Sequence, residues 1–379
     1  MVRVAPSAQT TLEALTQAAR HDLSCACGPS QPRKQGENGL WIYPAALPSG
    51  QRAPMLKVLQ ASGCERSCSY CVQRCGGQGP ALALRPEQLA SAFLDLHRQG
   101  RVFGLFLSSA IRGTAVATMD RMLGTAELLR SRHAFRGYIH LKIIPGSRSD
   151  QIDRAMRLAT RVSVNMEAPS ARHLARIAPG KDFETQILAP MRQVAQAVGE
   201  GRFARAGQTT QLVVGAAEET DREVAGAAAW AYRELKMARV YYSALQPVPG
   251  TPLADRPPVP FVREHRLYQV DFLLRKYGFA LDEIEFDPRG ALSLDVDPKS
   301  AWARRHPERF PVEINTAPLA ELVRVPGIGP HSAESIVKMR RTQRLREVAA
   351  LRAAGASWRV ASPFVLLDGR PAERQLRWW

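Results

Sequence analysis

The stretch MLKVLQASGCERSCSYCVQRC, residues 55–75, decides how the rest of the chain is read. A strand-like run, MLKVLQ (55–60), passes directly into a loop carrying thiols at Cys64, Cys68 and Cys71, with one more at Cys75. The strand signal then recurs: VFGLFLSS (102–109), GYIHLKII (137–144), RVSVNM (161–166), TTQLVV (209–214) and RVYYSA (239–244). Between these runs lie helix-like segments such as PEQLASAFLDLHRQG and DFETQILAPMRQVAQAVG. Six strand-plus-helix units in series predict a parallel sheet with right-handed crossovers. Filling residues 55–245, they make an α/β fold, a partial (β/α)6 TIM-type barrel.

The alternation inside the strands predicts which face is which. In GYIHLKII, Ile139, Leu141 and Ile143 share one face while Tyr138, His140 and Lys142 share the other. In RVSVNME, Val162, Val164 and Met166 oppose Ser163, Asn165 and Glu167. Crossover helices need the apolar face, so the polar face points into the barrel. Packed barrel interiors favour branched apolar residues, so polar side chains there predict a ligand site, with a solvated edge strand as the alternative.

All six cysteines fall within the first 75 residues, at 25, 27, 64, 68, 71 and 75. In a chain this size such crowding reads as metal or redox chemistry rather than a disulfide framework. The C-x3-C-x2-C spacing lets three thiolates ligate three irons of one cubane and leaves the fourth iron open to an exogenous chelator. A ferredoxin-type carrier needs four cysteines per cluster, and structural zinc needs spaced pairs or a histidine. Cys75 as a fourth ligand suits neither pattern, and an inert structural cluster stays open.

Bulk properties set the frame. At 379 residues, 45% hydrophobic and 23% charged, the chain is an ordinary globular protein with room for a barrel and a small further domain. No apolar run reaches a membrane span and no secretory leader is evident, so a cytoplasmic protein without membrane association is expected. The net charge of +17 favours a polyanionic partner, although 44 of the 52 basic residues are arginine, which is also what coding bias produces. Residues 301–379 carry 14 Arg and Lys against 7 Asp and Glu, so much of the excess sits in the last fifth.

The domain reading follows: a helical extension over 1–50 (helix from Thr11 to Asp22, then a Gly/Pro/Ser-rich stretch) and a barrel over 51–250. A barrel-closing helix and linker take 251–310, and a basic C-terminal module takes 311–379. In that module NTAPLAELVRVPGIGPHSAESIVKMRR (315–341) reads as helix, tight turn, helix, with Asn315 or Thr316 capping the first helix and Pro318 in its first turn. Gly327 and Gly329 allow the sharp turn, which would leave backbone N–H groups at a helix start for phosphate, with Lys338, Arg340 and Arg341 adding charge. A packing or protein–protein hairpin is the alternative. LREVAALRAAGASWRVASPFVLLDG looks like a degraded second copy, and the tail QLRWW offers stacking or self-docking groups.

The cysteine loop resembles the signature of the radical S-adenosylmethionine (radical SAM) superfamily, down to the aromatic Tyr70 before the third cysteine. The resemblance implies a 4Fe–4S cluster on Cys64, Cys68 and Cys71, with SAM chelated by the open iron and cleaved to a 5′-deoxyadenosyl radical. It places Ser108 and Ser109 at the SAM amino group, Asn165 and Glu167 at its ribose or carboxylate, and Gly215 of VVGAAEE against adenine. His140 and Lys142 are then substrate-side candidates. The C-terminal segment resembles the helix-hairpin-helix motif of DNA repair proteins, which grips duplex backbone without reading sequence.

Taken together with LEALTQAARHDLSCA, GLFLSSAI, FRGYIHLKIIPG, SVNMEAPS, REHRLYQVDFLLRKYGF and FPVEINTAPLAELVRVPGIG, the chain resembles one radical SAM family associated with DNA modification and repair. That likeness runs from about Leu12 to Phe364 and implies a class, with a uracil-DNA-glycosylase-like protein as partner, but no particular reaction; DNA as substrate is the leading expectation, with an electron donor such as flavodoxin or ferredoxin. Cys25 fits the family pattern, while Cys27 and Cys75 depart from it. Two other readings are an RNA- or tRNA-modifying radical SAM enzyme and a non-catalytic iron–sulfur DNA-binding adaptor for a glycosylase.

Overall fold

A computed structural model describes residues 6–21, 40–46, 52–77, 81–201 and 204–372; Cys25, Cys27 and the QLRWW tail lie outside the described residues. The chain forms two compact units, Met1–Glu219 with Trp230–Glu264, and Thr220–Ala229 with His265–Trp379.

The first unit opens with α1 (Ala8–Ala18), capped by the Ser7 hydroxyl accepting from Thr10 N–H, and one tight turn more to His21. Strand β1 (Ile42–Ala46) follows where the sequence predicts only a Gly/Pro/Ser-rich connection. The elements then alternate: β2 (Arg52–Leu59), α2 (Pro86–Arg98), β3 (Gly104–Ser108), α3 (Ala115–Glu127), β4 (Tyr138–Lys142), α4 (Ser149–Leu158), β5 (Arg161–Ser163), α5 (Ala171–Ile177), α6 (Ala189–Gly199), β6 (Gln208–Val214), α7 (Asp221–Glu234) and β7 (Arg239–Ala244). The sheet runs in the order β1 to β7, antiparallel between β1 and β2 and parallel from β2 onward, which is the expected partial barrel with one added strand. Pro44 of β1 lies opposite Pro54 of β2.

Register sorts the barrel interior into layers. Lys57, Phe106 and His140 lie side by side on β2, β3 and β4. The Lys57 ammonium stands 4.8 Å from the Phe106 ring and 5.3 Å from the Tyr43 ring, and His140 meets Phe106 edge-on at 4.3 Å. With Met55, these aromatic groups fill the end of the barrel where the strands start. The opposite face of each strand is apolar and covered by helices: Leu56, Val58, Leu105, Leu107, Ile139, Leu141 and Val162 are all fully buried. Each such side chain contributes about 1.5–3 kcal/mol on burial.

The second unit takes in the start of α7 and α8 (Phe261–Lys276) from His265 on, then α9 (Pro298–Arg305), β8 (Val312–Glu313), α10 (Leu319–Arg324), α11 (Pro330–Met339), α12 (Val348–Ala353), α13 (Trp358–Ala361), β9 (Val365–Leu367) and β10 (Arg370–Pro371). It is mainly helical, with the three short strands as a small sheet in the order β10-β9-β8. The expected linker around Asp297 is instead α9, capped by the Asp297 carboxylate and anchored by Trp302, 1% exposed against Phe279. A bulky aromatic inside an otherwise polar segment was the signal for this.

The hairpin forms α10, turn and α11 around a core of Leu322, Val325, Ile328, Ala333 and Ile336. Helix α10 starts later than predicted, with Pro318 at its cap and no side-chain cap. Asn315 serves elsewhere: its amide bonds Glu313 and Leu345, closing a loop 30 residues away. The suggested second copy forms α12 and α13 around Gly355, and Ser357 N–H donates to Gly327 O at 2.8 Å.

Candidate functional site

At the carboxyl ends of the parallel strands the first unit holds a cavity of about 630 Å³. Cys64, Cys68 and Cys71 lie on its wall, whereas Cys75 is exposed and apart from it. Tyr70, Ser108, Ser109, Lys142, Asn165 and Glu167 line it as well. Two predicted residues do not. His140 is buried in the aromatic floor layer against Phe106. Gly215 takes φ +82°, and a Cβ there would meet Val259 at 2.3 Å, so this glycine serves close packing beside the cavity. Its amide and that of Ala217 donate to the buried Glu219 carboxylate.

Hydrogen bonds tie the start of the cysteine loop to β3 and the segment that follows it. Gln60 N–H donates to Ser108 O at 2.8 Å, aligning the end of β2 with β3. Glu65 N–H donates to Ile111 O, and Gly113 N–H returns a bond to the Glu65 carboxylate at 2.7 Å. The amides of Arg66 and Ile111 both point at Cys64 Sγ, each at 3.4 Å. A neutral thiol has little use for two N–H donors, whereas a metal-bound thiolate does.

Burial pushes the Cys71 thiol up to about 12, with the Gln73 amide opposing, and raises Cys68 as well, against the pull of Lys181. As isolated groups these thiols would be protonated; coordination to iron, which deprotonates a ligating thiol outright, is what such a site needs to become ionic. Among the described residues no three His, Cys, Asp or Glu side chains converge on one ion position. A cubane asks something different, each thiolate reaching its own iron. The donor set therefore fits a three-cysteine 4Fe–4S cluster.

Beside the thiols sits a buried polar group that sequence reading missed. Lys181 Nζ lies 3.3 Å from Glu167 Oε1 and 3.4 Å from the Tyr70 hydroxyl, with the two side chains of the ion pair 10% and 8% exposed. Burial works against the ammonium, but Glu167, joined by Cys68 when it is a thiolate, outweighs it and holds Lys181 above its ordinary value. Burial drives the Tyr70 hydroxyl well up, with Glu167 adding to it. Glu167 itself adopts φ +64°, unusual for a side chain of its size, pinned by Glu167 N–H to Gln211 O and Val213 N–H to Glu167 O. Gln211 also accepts from the Asn165 amide at 3.4 Å. Arg20, Trp41, Arg66 and Glu264 complete the polar rim.

In the second unit Lys338 and Arg341 are exposed, but Arg340 is not offered to a ligand: its guanidinium donates to Ile314 O and Ala317 O at 2.8 and 2.7 Å. Gly329 is the N-cap of α11, with no side-chain cap, ahead of Pro330. Gly327 is held against α13.

Residues 309–353 match the family of the helix-hairpin-helix motif. No curated protein matches the chain. Among solved structures it is similar to the radical S-adenosylmethionine methyltransferase TsrM from Kitasatospora setae, at 15% identity and TM-score 0.42, over 53% of this chain and 36% of that one. The FeFe-hydrogenase maturase HydG from Carboxydothermus hydrogenoformans shares 13% identity at TM-score 0.47, over 58% and 51% respectively. A radical SAM methyltransferase from Sphaerobacter thermophilus shares 18% at TM-score 0.44, over 69% and 84%. The matched region spans about half or less of the TsrM and HydG chains. Among the described residues no helix is long and apolar enough to cross a membrane.

Proposed function

We propose that the chain is a radical SAM enzyme, with a 4Fe–4S cluster on Cys64, Cys68 and Cys71 and SAM on the open iron, acting on DNA in repair or modification. The observation that carries this reading is the convergence of those three thiols, in a C-x3-C-x2-C loop after the first parallel strand, on one wall of the barrel-mouth cavity. The bound cluster and SAM supply one-electron cleavage of the sulfonium and a radical that takes hydrogen from substrate. The chain's own residues bind and orient. The Arg66 and Ile111 amides support the Cys64 sulfur, and Ser108, Ser109, Asn165 and Glu167 offer partners for the amino, carboxylate and ribose groups of SAM. Leu59, Ile143 and Val213 supply apolar wall that excludes water, and Lys142 faces the substrate.

Support for a nucleic-acid substrate comes from the helix-hairpin-helix match and the exposed Lys338 and Arg341, which suit phosphate grip without sequence reading. The family resemblance adds a flavodoxin or ferredoxin donor and a uracil-DNA-glycosylase-like partner, in the cytoplasm. The test is anaerobic cluster reconstitution followed by SAM and dithionite, with 5′-deoxyadenosine assayed alone, with duplex DNA and with tRNA. A rise specific to duplex DNA is expected. A rise with tRNA alone moves the substrate to RNA, and no 5′-deoxyadenosine from an intact cluster, with DNA and partner present, favours the adaptor role.

A further inference from the structure

The segment Ile177–Lys181, which follows α5, is tied to the cysteine loop at three points. Ser69 N–H donates to Ile177 O at 2.7 Å, the Arg66 guanidinium to Gly180 O at 3.2 Å, and Lys181 Nζ to the Tyr70 hydroxyl at 3.4 Å. These ties deliver an ammonium into the barrel beside Cys68 and Cys71. Burying such a charge is costly unless anionic partners offset it. Glu167 is one partner, at 3.3 Å. A carboxylate partner alone does not explain why the segment that carries the ammonium is tied to the cysteine loop. Lys181, Glu167, Cys68 and Cys71 line the same cavity, so the ammonium stands in the enclosure that the thiols face. In a chain that uses arginine for 44 of its 52 basic side chains, this site holds lysine, a compact point charge that fits where a planar guanidinium fork would not.

We propose that Lys181 is a positioning residue that acts as the internal counter-cation of the iron–sulfur cluster, holding Glu167 and Tyr70 in place and raising the potential at which the cluster accepts its electron. The inference rests on the cluster reading above. The step concerned is the transfer of one electron from a low-potential one-electron donor to the oxidised cluster, and no bond forms or breaks in it. With three thiolates the oxidised cubane carries one net negative charge and the reduced cubane two. A fixed positive charge nearby favours the more negative state, and it does so strongly where water is excluded.

The test uses full-length reconstituted protein, with iron and sulfide content measured and the midpoint potential followed by electron paramagnetic resonance in a dithionite titration without SAM. Lys181→Met is expected to keep the cluster and shift its potential to more negative values, while Lys181→Arg stays nearer the wild type. The neutral pair Glu167→Gln/Lys181→Met is expected between Lys181→Met and wild type, because it removes the opposing carboxylate charge together with the ammonium. Unchanged potential in Lys181→Met with a full cluster overturns the proposal. If that variant does not take up a cluster, the neutral pair decides, and a potential equal to wild type there overturns it. A wild type that takes up no 4Fe–4S cluster overturns the underlying reading and this inference with it.

Discussion

Ser357 closes over Gly327: its N–H donates to Gly327 O at 2.8 Å, and a Cβ built on Gly327 would stand 2.5 Å from Ser357 O. Gly327 also sits at φ +79°, so two independent constraints demand glycine. Both clash partners, Ser357 O and Ala361 N, are backbone atoms that cannot swing aside. Gly327→Ala is therefore expected to destabilise the hairpin by about 1–3 kcal/mol through overpacking and strain. Urea unfolding of the full chain, with hydrogen exchange reporting on residues 325–340, checks this. Loss of DNA affinity in this variant would report unfolding before it reported a lost phosphate contact.

Cleaner probes of the nucleic-acid surface are the exposed cations. Lys338→Ala and Arg341→Ala should leave the unfolding free energy within about 0.5 kcal/mol, as surface changes do. Each should weaken duplex binding and lower the slope of log affinity against log salt by about one. Arg340→Ala should behave in the opposite way. It strands Ile314 O and Ala317 O, so stability falls by about 1–3 kcal/mol. Salt titrations of binding beside denaturant curves separate the two classes.

Lys299 gives the second unit a pH dependence. Its ammonium, only 8% exposed, donates to Ile328 O at 2.5 Å and lies 4.8 Å from the Tyr277 ring. Burial nevertheless lowers its pKa from 10.5 to about 7, with Asp297 opposing. Between about pH 7 and 10.5 the unfolded chain then holds more protons at this site than the folded one. Stability contributed through this group therefore rises with pH across that window, and the cost of burying the charge is greatest below it. Lys299→Met should remove the slope. Exchange protection of residues 325–340 at pH 6.5 and 8.5, corrected for intrinsic exchange rates, reads it directly.

Cys68→Ala removes the most buried of the three cavity thiols and should abolish cluster uptake and SAM cleavage while leaving duplex affinity within about twofold, since phosphate grip does not depend on the cluster. Cys75→Ala should leave iron content unchanged, because Cys75 is exposed and lies off the cavity wall. Iron and sulfide analysis of both variants tests the assignment. A cluster lost with Cys75 would show that it ligates iron.

The barrel and its thiols were legible because both are local signals. Strand periodicity fixed β2 to β7 within a few residues, and C-x3-C-x2-C needed only eight consecutive positions. Asn165, Glu167 and Lys142 followed from the same periodicity, since the strand face that carries them opens on the cavity. Lys181 was not legible. Its partner Tyr70 is 111 residues away in sequence, and IAPGKDF reads as an ordinary turn. His140 shared the polar face of Lys142 but lies one layer deeper, where Phe106 and Lys57 leave it among rings. Gly215 was read as lying against adenine and Gly327 as a turn residue; each glycine is also required by a protein atom that comes close. Sequence marks where a Cβ is forbidden without saying what forbids it.

The facing prolines of β1 and β2 bear on how the protein behaves in a crowded solution. Pro54 O accepts from Phe103 N–H across to β3, so the backbone polar atoms of Pro54 face away from β1, and those of Pro44 face the sheet's outer rim. That rim thus lacks an N–H at the middle of its outermost strand. An approaching extended chain would find its hydrogen-bond ladder interrupted there, which makes β1 a poor template for edge-to-edge aggregation.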